Sequence, residues 1–165
     1  MKVAIIMGSD SDWPVLEPAV SQLNEFGIET EVLVASAHRT PDKVHHFVAG
    51  AKERGVQVFI AAAGAAAHLP GVIASFTTLP VIGIPVNATP LGGMDALLSI
   101  VQMPAGIPVA TMAINGAKNA ALFAAQILAV HDTGLADKLA AHRRTMAEEV
   151  EKKDERLAKK LTGQI

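Results

Sequence analysis

At 165 residues the chain suits one compact domain, a size at which roughly 70% of the unfolded surface is buried. A net charge of -2, from 14 Lys and Arg against 16 Asp and Glu, offers no broad attraction to nucleic acid or an anionic membrane, so neither is an expected partner. Cysteine is absent, which excludes disulfides, thiolate catalysis and cysteine-based zinc sites and makes the cytoplasm the expected compartment.

The apolar run Val3–Met7 is too short for a signal peptide and reads as a first strand leading into polar Gly8-Ser9-Asp10-Ser11-Asp12. Leu16, Ala19, Val20 and Leu23 then follow helical spacing, with Pro14 near the start and Gly27 after the end. Glu31–Val34 predicts a second strand. The helix after it has Val44, Phe47, Val48 and Ala51 on one face, Pro41 near its start and Gly55 beyond it. Val58–Ala63, Val81–Ile84 and Val109–Ile114 complete a set of short, largely β-branched strands expected to be parallel and buried. Such alternation predicts a doubly wound α/β sandwich with right-handed crossovers. Residues 1–165 are expected to form a single α/β domain, in which 132–165 are a C-terminal helical extension.

Charge is distributed unevenly. Between Gly55 and His131 only Asp95 and Lys118 are acidic or basic, whereas 15 charged residues, half of the chain's 30, lie from Asp132 onward. The last segment intersperses Leu135, Leu139, Met146, Val150, Leu157 and Leu161 among those charges, the pattern of a solvent-facing helix with an apolar stripe. The charge-poor middle predicts helices and strands buried in the domain, together with extensive contacts between subunits.

Open parallel sheets bind ligands beyond the carboxyl ends of their strands, so the loops after the strands are the places to look. The first, Gly8 to Asp12, offers backbone amides, the hydroxyls of Ser9 and Ser11 and the positive end of a helix, which together suit a phosphate. It matches neither the P-loop nor the dinucleotide glycine pattern. Simple helix capping by Ser11 or Asp12 is an equally available role.

The second loop, Ser36-Ala37-His38-Arg39-Thr40-Pro41-Asp42, sets a hydroxyl, an imidazole and a guanidinium within four residues. Arg39 is the only Arg or Lys between Lys2 and Lys43, and its forked donors suit phosphate oxygens, which Ser36 can share. An imidazole can both give and take a proton, so His38 suits general acid and base work. The third loop, Gly64-Ala65-Ala66-Ala67-His68-Leu69-Pro70-Gly71, has side chains small enough for backbone to approach a flat ligand. His68 is its one ionisable group, and a hydrogen-bonded structural role is the alternative for it. His45, His46, His131 and His142 are expected at the surface, and Met94, Met103 and Met112 in the core.

Taken together, Gly8-Ser9-x-Ser11-Asp12, Ser36 to Asp42, Ala66-Ala67-His68-Leu69-Pro70-Gly71 and Ser99-Ile100-Val101-Gln102-Met103-Pro104 resemble the PurE family, in order and over most of the chain up to about His131. The resemblance implies a flavodoxin-like three-layer sandwich with a parallel sheet, assembled as a homo-octamer with active sites near subunit junctions. It implies a purine-biosynthetic enzyme acting on a ribonucleotide. Arg39-Thr40 is similar to the class that isomerises N5-carboxyaminoimidazole ribonucleotide to its 4-carboxy isomer; a Lys-Gly pair marks the class that carboxylates aminoimidazole ribonucleotide with carbon dioxide. A non-catalytic oligomer sensing a phosphorylated ligand is the alternative from outside enzymology.

By the same resemblance, Ser9 and Arg39 bind the phosphate with Ser11 and Ser36, and Asp12 binds ribose hydroxyls. His38 transfers protons, and His68 joins the catalytic set from the loop around the base. Ala63, Gly64, Ala65 and Leu69 line the substrate. No metal, ATP or organic cofactor is expected. The third loop departs from the family's usual glycines at Ala62 and Ala65, and an alanine there would be strained wherever φ is positive.

Overall fold

A computed structural model describes residues 1–163. Its parallel sheet has the order β2-β1-β3-β4-β5, formed by β1 (Lys2–Met7), β2 (Glu29–Val34), β3 (Val56–Gly64), β4 (Val81–Val86) and β5 (Ala110–Thr111). This is the flavodoxin order, in which the winding direction reverses between β1 and β3. The helices are α1 (Trp13–Glu25), α2 (Pro41–Ala49), α3 (Leu69–Phe76), α4 (Met94–Val101), α5 (Ala117–Ala129) and α6 (Thr133–Leu161), with a 3-10 turn at Asp10–Asp12. Gln164 and Ile165, the end of the expected extension, lie outside the described residues.

Two compact units divide the chain. The first, Met1–Leu128, contains the whole sheet. One face of that sheet presents Ala4, Ile6, Phe59, Ala61 and Ala63 to Val44 and Val48 of α2, Ile73 of α3 and Ile100 of α4 in a continuous apolar cluster. The alternate positions Val3, Ile5, Val58 and Ile60 are equally buried and point to the opposite face. Leu16, Ala19 and Leu23 of α1 and Ala120 and Ala124 of α5 are buried too, and they form the layer on that side. Close packing is set by small residues: a Cβ on Gly83 would stand 2.6 Å from Ile100 Cγ2 and 3.0 Å from Val109 Cγ1, so only glycine lets α4 settle on β4 at this distance.

Parallel pairing aligns the strand ends. Met7 is in register with Val34 on one side and Ala62 on the other, and Gly64 pairs with Val86, so the loops after β1 to β4 leave the sheet at one edge. Pro14 lies in the first turn of α1 and Pro41 opens α2, while Gly27 and Gly55 turn the chain back with φ of 76° and 82°.

Two strands differ from expectation. β2 is an edge strand paired only with β1, and Val32 and Val34 are each 42% exposed rather than buried. β5 is a two-residue strand, not the six-residue run Val109–Ile114. Gly83 O and Pro85 O face it and accept from Met112 N and Asn115 N, but Pro85 has no N–H to return, so the ladder lapses at that rung. Asn115, at φ 57°, then turns the chain out.

The second unit starts at Ala129 and contains α6. Asp132 caps this helix, its carboxylate accepting from Leu135 N at 2.7 Å. Leu135 is buried, whereas Met146, Val150, Leu157 and Leu161 of the expected stripe are exposed. Met94, expected in the core, is also half exposed because it lies on the outer face of α4. His45, His46 and His131 are at the surface as expected, and His142 is half-buried.

Candidate active site

The carboxyl edge of the sheet holds a cavity of about 390 Å³, within the range typical of small-molecule sites. All eleven residues singled out from the sequence line it: Ser9, Ser11 and Asp12 after β1; Ser36, His38 and Arg39 after β2; and Ala63, Gly64, Ala65, His68 and Leu69 around the end of β3. A larger groove of about 740 Å³ lies at the other end of β4, bounded by Lys52, Phe76 and Pro108. It contains none of these residues.

In the β1 loop, Ser9 Oγ accepts from Ser11 N at 3.3 Å and from Ser11 Oγ at 2.8 Å, so Ser9 caps the 3-10 turn. Asp12 stands at the N-cap of α1 yet makes no side-chain capping bond, which removes the simplest structural account of it. Burial raises the Asp12 pKa above its ordinary value; a hydrogen bond from the Ser9 backbone opposes this, and the nearby charge of Asp10 adds to it.

The β2 loop is braced by Thr40. Its Oγ1 accepts from Ser36 N at 2.9 Å and donates to Ser36 O at 3.0 Å, while Thr40 N donates to the same carbonyl at 2.8 Å. Arg39 N donates to Ser36 Oγ at 3.2 Å, and Arg39 Nη2 reaches back to Gly8 O at 3.1 Å, tying the second loop to the first. A guanidinium carries five N–H groups, so donors remain for an anion lying between Ser9 and Arg39. Neither the Thr40 brace nor the Gly8 contact was foreseen. The Thr40 bonds need a hydroxyl that glycine at this position would lack.

His38 and His68 meet directly. His38 Nε2 lies 2.8 Å from His68 Nδ1, with the rings perpendicular and their centroids 5.0 Å apart. A hydrogen bond at this distance needs one nitrogen to donate and the other to accept, so the tautomer of each ring depends on the other. His68 is presented from the N-cap position of α3. The structural alternative for His68 and the chemical one thus converge on the same contact.

Two of the third-loop residues are constrained in different ways. Gly64 has an ordinary φ but no room: a Cβ there would stand 2.7 Å from Ala88 Cβ. Ala65 has room but the wrong backbone, with φ of 51° in the left-handed region. The expected strain is therefore present at Ala65 and not at Ala62, which lies in β3 fully buried. Ala88, after β4, also lines the cavity. It was missed because an alanine carries no chemical signal, although its place after a strand end was one.

The family model for AIR carboxylase matches residues 2–149. The chain belongs to the AIR carboxylase family. Among its relatives, the N5-carboxyaminoimidazole ribonucleotide mutase of Thermotoga maritima is 54% identical over 156 residues, covering 94% of this chain and 91% of that protein. The mutase of Mycobacterium tuberculosis (strain ATCC 25618 / H37Rv) is 53% identical over 164 residues, covering 98% and 94%. The crystal structure of Treponema denticola PurE superposes with a TM-score of 0.85 at 32% identity, covering 94% of this chain and 98% of that one. The resemblance read from the loop motifs and the sandwich fold are both borne out.

Strain at Ala65 has a measurable consequence. Ala65→Gly relieves the left-handed cost while adding freedom to the unfolded chain, for a net gain of about 0.5 to 1 kcal/mol. Paired urea or thermal denaturation of the two proteins checks it.

Proposed function

We propose that the protein is an N5-carboxyaminoimidazole ribonucleotide mutase of purine biosynthesis, an isomerase that moves a carboxylate from the exocyclic nitrogen to the ring carbon. The observation that carries the reading is the His38–His68 hydrogen bond, set between the Ser9, Ser11 and Arg39 loops and a wall of Ala and Gly. The carboxylase alternative would call for Lys-Gly where Arg39-Thr40 stands, and a sensor has no need of a histidine pair at the reacting end.

In this reading the ribonucleotide phosphate lies across Ser9, Ser11, Ser36 and Arg39, where a helix N-terminus and charge-assisted hydrogen bonds favour an anion. Asp12 accepts from ribose hydroxyls. The base reaches Ala63, Gly64, Ala65 and Leu69, whose small or apolar side chains exclude water. His38 gives a proton to the exocyclic nitrogen as its bond to the carboxylate carbon breaks, releasing carbon dioxide. The electron-rich ring carbon forms a new bond to that carbon dioxide, and His38, now neutral, removes the proton left on the ring carbon. His68 fixes the ring and tautomer of His38 throughout.

The same reading places the protein in the cytoplasm as an octamer. Support for association comes from α4, whose Met94, Leu98 and Val101 are each about half exposed at spacings that share one face. A second copy of this charge-poor segment is the matching cover.

Incubation with the carbamate ribonucleotide, without ATP or added bicarbonate, should yield the 4-carboxy isomer. His38→Asn should fold normally and lose at least about 100-fold in kcat. Substantial remaining turnover defeats the role of His38; activity only with aminoimidazole ribonucleotide and bicarbonate indicates the carboxylase, and binding without conversion the sensor. Ionised Asp12 is the form that accepts both hydroxyls, so KM should rise as pH falls through its raised pKa. Asp12→Asn should remove that limb of the profile. Light scattering should give a mass of eight chains, and a monomer would contradict the assembly.

A further inference from the structure

The segment between β4 and α4, residues 87–93, belongs to none of the three loops that carry the phosphate and proton chemistry, yet it reaches the cavity through Ala88. The methyl of Ala88 lies so near Gly64 that a Cβ on the glycine would come within 2.7 Å of it. This close approach sets an apolar group along one side of the cavity beside Gly64.

The segment has little buried surface of its own to hold it there. Asn87, Ala88, Pro90, Leu91 and Gly92 are exposed, and Gly92 and Gly93 have φ of 65° and 86°. What fixes it is a polar latch at each end. Asn115 Oδ1 accepts from Asn87 N at 3.0 Å. Thr89 Oγ1 donates to Asp95 Oδ2 at 2.8 Å and accepts from Leu91 N at 3.2 Å, while Thr89 O accepts from Gly92 N at 3.2 Å.

Asp95 is an unusual residue to find here. It is one of only two charged residues between Gly55 and His131, and its Oδ1 is buried with no hydrogen-bond partner among the described residues. An unpaired buried carboxylate oxygen is costly. The cost has a use if the other oxygen must hold Thr89 firmly.

Resting on the mutase reading, we infer that Thr89 and Asp95 are positioning residues that hold Ala88 against Gly64, closing the cavity so that the carbon dioxide released in the first half of the reaction is recaptured instead of escaping. Escape leaves aminoimidazole ribonucleotide behind, with carbon dioxide hydrating to bicarbonate outside. The loop thus governs how turnover divides between isomerisation and net decarboxylation. It has no part in holding the phosphate, which the β1 and β2 loops bind.

Thr89→Val removes the hydroxyl and keeps the shape. Measured on the whole enzyme with the carbamate ribonucleotide, it should raise the ratio of free aminoimidazole ribonucleotide to 4-carboxy product several-fold, leave KM unchanged, and be corrected by Thr89→Ser. Should Thr89→Val fail to fold, Ala88→Gly opens the same wall without touching the latch and should raise the ratio equally. An unchanged ratio in the folded variant, or a rise that Thr89→Ser does not correct, overturns the inference while the mutase reading stands. Absence of isomerisation by the unaltered enzyme overturns both.

Discussion

Every strand of the sheet runs the same way, and the rest of the molecule follows from that constraint. Because a parallel neighbour is reached only by crossing over through a helix, each strand releases its chain at the same edge. The register of Met7 with Val34 and Ala62 brings those exits to one level. Three short loops, none able to form a site alone, thereby share one cavity. Backbone amides at the following helix starts reinforce the same end for anions.

Where those loops leave the core, small polar bonds take over from burial in holding them. His38 and Arg39 are exposed, although Ala35 and Ala37 just before them pack on the core. Thr40 closes the turn onto Ser36 in both directions, and Arg39 crosses to Gly8. The Arg-Thr pair read as a class signature therefore has a mechanical meaning in this chain: one residue ties two loops together and the other stiffens the turn that carries the histidine.

Much of this was legible in the sequence because the signals were chemical and local. Helix faces such as Leu16, Ala19 and Leu23 appeared at the right spacing, and isolated polar residues after apolar runs marked the cavity. What was not legible depended on distance through space. His68 could be ranked only by itself, since nothing in the chain across a separation of 30 positions announces that its nitrogen meets His38. Val32 and Val34 read as core because β-branched residues favour any strand, and edge position is decided by the order of pairing. The shortness of β5 turned on Pro85 in another strand. Ala88 carried no signal beyond its address.

The contact between the two imidazoles also bears on how the enzyme exchanges matter with its surroundings. In the proposed reaction His38 begins as an acid and ends as a base, so the proton given up at the start of a cycle is regained at its close. Substrate and product differ in where a carboxylate is attached and not in how many protons they carry. A catalyst of this kind needs no proton from buffer between completed isomerisations. The histidine pair is then a private reservoir of one proton, reset by the reaction itself.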